Sequence, residues 1–147
     1  MPLAEWHDRE VDITLDSGAC ENVIDAEDAP GYLVIESAGS KRGQNFVVGD
    51  GGRLPNEGQV ELNMESHIEG RANVPVRVNY QVAGVSRPLM SVAKVCAQGH
   101  TCVFTKEGAK VMDDRQRTIG EFKQKGGLYV STMTLKAPAP FTRPVAA

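Results

Sequence analysis

Leu15-Asp16-Ser17-Gly18-Ala19 is the stretch that decides the fold, because it closes the first clear strand of the chain. That strand is predicted from Val11 and Ile13 together with Leu15, since apolar residues at every second position are typical of a strand with one buried face. The strand ends in a carboxylate and a hydroxyl, and the glycine after them allows a sharp turn. A carboxylate at the end of a buried strand is costly unless something compensates its charge. Asp16 is therefore a candidate functional residue, although Asp-Ser-Gly also occurs in ordinary turns.

Composition sets limits on the class of protein. The chain has 147 residues, which predicts one domain, and its formal net charge of −3 argues against a surface that binds nucleic acid. It contains no run of 18 apolar residues, so we expect no membrane span, and its polar first ten residues do not resemble a secretory signal. Three cysteines and the lack of any Asn-x-Ser/Thr sequence favour a reducing, cytoplasmic location.

Short strands dominate the rest of the sequence, which predicts a mainly β fold, a small closed barrel or sandwich with one or two helices. We expect a leader over 1–10, one folded domain over 11–135 and a Pro/Ala-rich tail or linker over 136–147. A short helix is predicted over 92–98, capped by Ser91. Further strands are predicted at 23–24, 32–35, 45–48, 59–64, 74–82, 103–104, 109–112, 119–122 and 128–135.

A glycine-rich segment, 49–58, separates two of these strands and predicts a hairpin that pairs 45–48 with 59–64. A tip with so many glycines could fold over a ligand and bind it through its backbone. An ordinary surface hairpin is the alternative interpretation.

Three cysteines and a histidine, Cys20, Cys96, His100 and Cys102, are the candidates for a metal site. Their spacing matches no common zinc pattern, and Cys96 falls on the apolar face of the predicted helix, where a free cysteine behaves as a small hydrophobe. We therefore expect no metal.

The order of these features resembles that of the retropepsins, the retroviral-type aspartic proteases, and specifically the protease region of copia-type retrotransposon polyproteins. The resemblance spans 11–135 and rests on four ordered segments. Leu15–Ala19 resembles the catalytic loop, 47–62 the flap, 88–104 the late helix with the strand that follows it, and 126–129 the region upstream of integrase. The chain departs from retroviral enzymes in three places. Cys20 stands where Ser, Thr or Asp is commoner, and the flap is longer and richer in glycine. Before the late helix, retropepsins usually carry two apolar residues and a glycine, whereas this chain has Leu89-Met90-Ser91, in which copia-type relatives are similar to it.

The resemblance implies a retropepsin-like closed barrel or sandwich with a flap hairpin and one short helix near its C-terminal part. It implies that Asp16 is catalytic, that Ser17, Gly18 and Ala19 support its loop, and that Gly49, Asp50, Gly51, Gly52 and Arg53 form the flap that covers a polypeptide substrate. Because only one Asp-Ser/Thr-Gly occurs, the active unit would be a two-fold homodimer. It would process a retrotransposon polyprotein, in the cytoplasm or in virus-like particles, without a metal or organic cofactor. The alternative is an inactive dimerisation or peptide-binding domain with the same fold.

Overall fold

The computed structural model describes residues 5–139, and the fold is mainly β. Two short helices, α1 and α2, and a single-turn 3-10 helix at Ala26–Asp28 interrupt the strands. The elements are β1 (Arg9–Asp16), β2 (Val23–Ile24), α1 (Ala38–Lys41), β3 (Asn45–Val47), β4 (Arg53–Pro55), β5 (Gly58–Ser66), β6 (Val74–Val82), β7 (Leu89–Ser91), α2 (Val92–Ala97), β8 (Thr101–Phe104), β9 (Gly108–Met112), β10 (Thr118–Lys125) and β11 (Leu128–Leu135).

Six strands form a closed ring, because β1 pairs with neighbours on both of its edges. Most of β1 runs antiparallel to β11, whereas its last three residues run parallel to β7. From β7 the ring continues through β2, β6 and β5 and returns to β11. Strands β10, β9 and β8 extend the same sheet outward from β11, and β3 pairs with β4 in a separate small sheet.

The core lies inside this ring and follows the alternation seen in the sequence. In β5 every second residue is buried, and Leu62 is completely excluded from solvent. Ile13 of β1, Tyr80 of β6 and Leu135 of β11 are equally inaccessible. Because successive side chains of a strand point to opposite faces, this pattern fixes which face of each strand meets the core.

The short helix and the last hairpins are confirmed. Helix α2 begins after Ser91, whose hydroxyl accepts a hydrogen bond from the Lys94 amide, and ends one residue earlier than predicted. The glycine after it, Gly99, has a positive φ of 88°, as expected for a residue that stops a helix. The predicted pairing of the strands around 106–108 is also observed, as β8 with β9. Cys96, however, is exposed and does not lie on the buried face of α2.

Three predictions about the segment before β5 are wrong. The strand β3 pairs with β4 and not with 59–64: one edge of β5 pairs with β6, and the other edge meets Ile35 at Gln59 and β11 at Met64 and Glu65. The segment 37–43, for which no helix was predicted, contains α1, which Ser37 and Ser40 cap reciprocally. The predicted strand over 32–35 is reduced to a single bridge between Ile35 and Gln59.

Both ends of the predicted domain are held by side chains from elsewhere in the chain. Trp6 packs edge-on against Tyr32, and the Tyr32 hydroxyl donates to the carbonyl of Lys136 at 2.5 Å. The ammonium of Lys136 lies 2.6 Å from Asp8 and 3.1 Å from Glu65. Of the predicted leader and tail, 1–4 and 140–147 lie outside the described residues. Within 5–139 the longest helix has six residues, and no helix is long and apolar enough to cross a membrane.

Candidate functional site

Asp16 is the last residue of β1, where the strand leaves the ring. It is half-buried and lies opposite Ser91 in the parallel pairing of β1 with β7. The backbone N–H of Gly18 donates to its Oδ1 at 2.7 Å, which orients the carboxylate. A Cβ added at Gly18 would lie 3.3 Å from the same oxygen, so a side chain there would crowd the carboxylate. Strand and turn together therefore fix the position of one acidic side chain.

The loop after Asp16 is tied to the start of α2 by Ser91. The Ser91 hydroxyl is completely buried and donates to the carbonyl of Ala19 at 2.6 Å, while the Ser91 N–H donates to Oδ1 of Asn22 at 2.7 Å. Asn22 in turn donates to the carbonyl of Asn79 and accepts from the Gln81 amide through its own carbonyl. This network joins the Asp16 loop to α2 and to β6.

An ion pair closes the same junction at the surface. The Nζ of Lys94, on α2, lies 3.3 Å from Oε1 of Glu21, and about a third of the Glu21 side chain is exposed. A partly exposed pair of this kind contributes little to stability, about 0–1 kcal/mol. The ion pair does, however, give the Glu21 carboxylate a cationic partner.

Asp16 lies at the wall of a groove of about 1150 Å³. Besides the Asp16 loop, the groove is lined by β3 with the two residues after it, by the segment before β7, and by aromatic residues of the outer sheet. Two of its side chains are apolar yet exposed: Val47 of β3, at 70%, and Phe104 of β8, at 40%. Phe104 packs edge-on against Tyr129 of β11, which also lines the groove. A wall with exposed apolar side chains is typical of a binding surface.

The β3–β4 hairpin lines the groove with β3 and not with β4, and it is anchored at its base. Asn56, just after β4, is buried, and its amide donates to the side chains of Gln44 and Gln81 at 3.2 and 2.9 Å. At the tip, the Gly52 N–H donates to Oδ1 of Asp50 at 2.8 Å, and Gly51 has a φ of 85°. The hairpin thus has a fixed base and a glycine-rich turn at its free end.

The structure brings together only part of the set of residues predicted from the sequence. Asp16, Ser17, Gly18, Ala19 and Gly49 line the groove, whereas the tip of the hairpin, 50–53, does not. Ser17, which was expected to support the Asp16 loop, is exposed, and Ser91 donates a side-chain hydrogen bond to this loop.

Sequence reasoning missed two contributors to this site. The link from Ser91 to the Asp16 loop was missed, although the helix-cap signal at Ser91 was visible. The contributions of Phe104 and Tyr129 to the groove had no sequence signal, because they depend on how the outer strands pair.

The groove contains one carboxylate without a cationic partner. Among its described lining residues only Asp16 and Glu21 are acidic, and Glu21 is paired with Lys94. One chain therefore supplies a single free carboxylate to the groove.

The cysteines do not assemble a metal site. Across residues 5–139, no three His, Cys, Asp or Glu side chains are grouped so that they could hold a metal ion. Burial, together with the neighbouring Cys96 thiol, raises the pKa of the Cys102 thiol to about 11, so Cys102 is protonated at neutral pH.

Comparison of the chain with models of protein families, with curated proteins and with solved structures found no match.

Proposed function

We propose that this protein is an aspartic endopeptidase of the retropepsin type that works as a two-fold homodimer. The observation that carries the proposal is the position of Asp16: a carboxylate at the end of a buried strand, oriented by a glycine N–H, at the wall of a groove with exposed apolar side chains. The resemblance of the Asp16 loop, the late helix and the flap region to retropepsins supports the same conclusion.

The chemistry requires a second carboxylate, which the groove of one chain does not supply. In aspartic proteases two carboxylates about 3 Å apart share one proton, because both cannot ionise at that distance. The ionised member takes a proton from a water molecule, which attacks the peptide carbonyl, while the protonated member donates to the carbonyl oxygen. A symmetric dimer would bring the Asp16 of each subunit into this arrangement.

The substrate in this proposal is an extended polypeptide. A peptide segment can bind a groove through backbone hydrogen bonds and place alternate side chains in pockets. Val47 and Phe104 would contact apolar side chains of such a substrate, and the β3–β4 hairpin would act as the flap. Following the resemblance, the natural substrate would be the polyprotein of a retrotransposon, in the cytoplasm or in virus-like particles.

Replacement of Asp16 tests the proposal most directly. We expect Asp16→Asn to abolish cleavage of a peptide library and binding of a pepstatin-type inhibitor, because the amide cannot act as the base. The matched control is Asp12→Asn, which changes an exposed carboxylate of the same strand outside the groove lining and should leave cleavage unchanged. Cleavage that survives Asp16→Asn would contradict the proposal. Peptide binding without cleavage by the unmodified chain would instead support the inactive peptide-binding domain.

A further inference from the structure

A second cavity shares no lining residue with the groove. Its volume is about 240 Å³, and it is lined mainly by β6, α2, the ring strand β11 and the outer strands β9 and β10. Its apolar lining includes Met90, Val95, Val111, Phe122 and Met133, all of which are buried. Apolar cavities of about 150 Å³ already take up a molecule the size of benzene, so this space is large enough for a small organic ligand.

The polar side chains of this cavity are donors or neutral groups, and none of its lining residues is acidic. Lys94 contributes an ammonium and Gln98 an amide from α2, and His100 follows from the turn after the helix. The Nδ1 of His100 is buried and has no hydrogen-bond partner among the described residues. A buried polar atom without a partner costs free energy, which a ligand would recover once the half-buried His100 ring turns its Nδ1 toward the cavity.

We infer that this cavity binds a small amphiphilic anion, with its hydrocarbon part among the buried methionines and valines and its anionic group at His100 and Lys94. The apolar lining selects the hydrocarbon part, and the basic and amide side chains select the charge; Glu21 and Glu61, which pair with Lys94 and Arg77, lie outside the lining. Lys94 already pairs with Glu21, so its ammonium would be shared between that carboxylate and the ligand. This inference does not depend on the proposed protease activity.

Methionine methyl groups offer a direct measurement, because the chain carries an internal control. Met90 and Met133 line the cavity, whereas Met64 is equally buried but does not line it. In protein labelled with ¹³C at the methionine methyls, octanoate should shift the NMR signals of Met90 and Met133 in a saturable way and leave Met64 unchanged. The neutral 1-octanol, which has the same number of carbons, should bind at least about tenfold more weakly, because it lacks the charge-assisted hydrogen bond.

Two variants test the anionic group separately from the hydrocarbon part. His100→Leu should weaken octanoate binding about tenfold and leave 1-octanol binding unchanged. Lys94→Met, at a half-exposed position, should act in the same direction and serves as the second test if His100→Leu does not fold. The inference is overturned if octanoate shifts neither Met90 nor Met133, if Met64 shifts equally, or if octanol binds as tightly as octanoate. Because no cleavage is measured, these outcomes are separate from failure of the protease proposal.

Discussion

At the scale of single residues, Ser91 links the candidate catalytic loop to the rest of the protein. Its hydroxyl caps α2 and at the same time donates to the carbonyl of Ala19 in the Asp16 loop. One buried hydroxyl here therefore performs two tasks, helix capping and loop positioning.

We expect Ser91→Ala to lower the free energy of unfolding by about 1–3 kcal/mol, since it removes a helix cap and leaves a backbone carbonyl without its donor. It should also reduce kcat for peptide cleavage several-fold at a temperature where the variant is folded, because the Asp16 loop loses a tether. Urea denaturation and a cleavage assay measure the two effects.

Ser37→Ala is the control for this prediction, because Ser37 is also a buried helix cap but belongs to α1. Ser37→Ala should lower stability by a similar amount without the loss of kcat. Equal effects of the two variants on kcat would show that Ser91 has no positioning role.

At the scale of elements, the strands with strict alternation were predictable and the hairpin near the groove was not. β6 and the buried face of β5 are evident from valines, leucine and methionine at every second position. The partner of a strand, in contrast, depends on tertiary packing: β5 pairs with β6 along one edge and meets Ile35 and β11 on the other, while β3 pairs with 53–55. Helix α1 was missed because its glycine and serines are typical of a loop, and only the reciprocal cap at Ser37 indicated it.

The turn of the β3–β4 hairpin supports a prediction about flap function. Gly51 has a φ of 85° and no neighbour within 4 Å of an added Cβ, so Gly51→Ala introduces backbone strain without a clash. We expect a loss of about 1 kcal/mol within the hairpin, faster hydrogen exchange at Gly51, whose N–H donates to Val48, and a raised KM.

Gly70→Ala is the matched control, since Gly70 has a φ of 75°, equally open surroundings and a position between β5 and β6, outside the β3–β4 hairpin. It should carry a similar cost in stability and leave KM unchanged. If both variants raise KM alike, the hairpin does not act as a flap.

The ion pairs of Lys136 with Asp8 and Glu65, where β1, β5 and the end of β11 meet, predict that the stability of the fold depends on pH. The hydrogen bond from Lys136 lowers the pKa of Asp8 below 3.8, and those from Asn73 and Lys136 lower the pKa of Glu65 below 4.5. A carboxyl group whose pKa is lowered in the folded protein stabilises the fold when the pH is above the ordinary pKa of that group. This stabilisation is lost as the pH falls through the lowered pKa. The pKa of Lys136 is raised above 10.5, so its contribution is lost only in strong alkali.

We therefore expect Lys136→Met to be slightly less stable than the unmodified protein at pH 7, with a difference that shrinks below pH 4.5 and disappears in stronger acid. Urea denaturation at several pH values measures this difference. Lys41→Met is the control, because Lys41 lies 3.9 Å from Glu36 at an exposed position and should change stability little at any pH. A difference for Lys136→Met that stays constant down to pH 2 would contradict the assignment.

At the scale of the whole molecule, the closed ring supplies a single free carboxylate to the groove among the described residues, so the proposed protease would need a second chain. Every strand of the ring is paired on both edges for part of its length, and β1 delivers one carboxylate at its end. The other acidic side chain of the groove, Glu21, is held by Lys94. The resemblance predicted the Asp16 loop, but only the ion pair shows that Glu21 is not a second free carboxylate in the same chain.

This arrangement predicts a specific result when active and inactive chains are mixed. If each site takes one Asp16 from each of two subunits, an equal amount of Asp16→Asn chains should halve the activity, and a threefold excess should reduce it to about a quarter, because random pairing leaves fewer pairs with two aspartates. The mixture is equilibrated well above the dimer dissociation constant, and Asp12→Asn chains, which keep Asp16, replace the inactive chains in the control. Activity that is unchanged by Asp16→Asn chains would mean that each chain works alone, and the shared carboxylate pair would then be wrong.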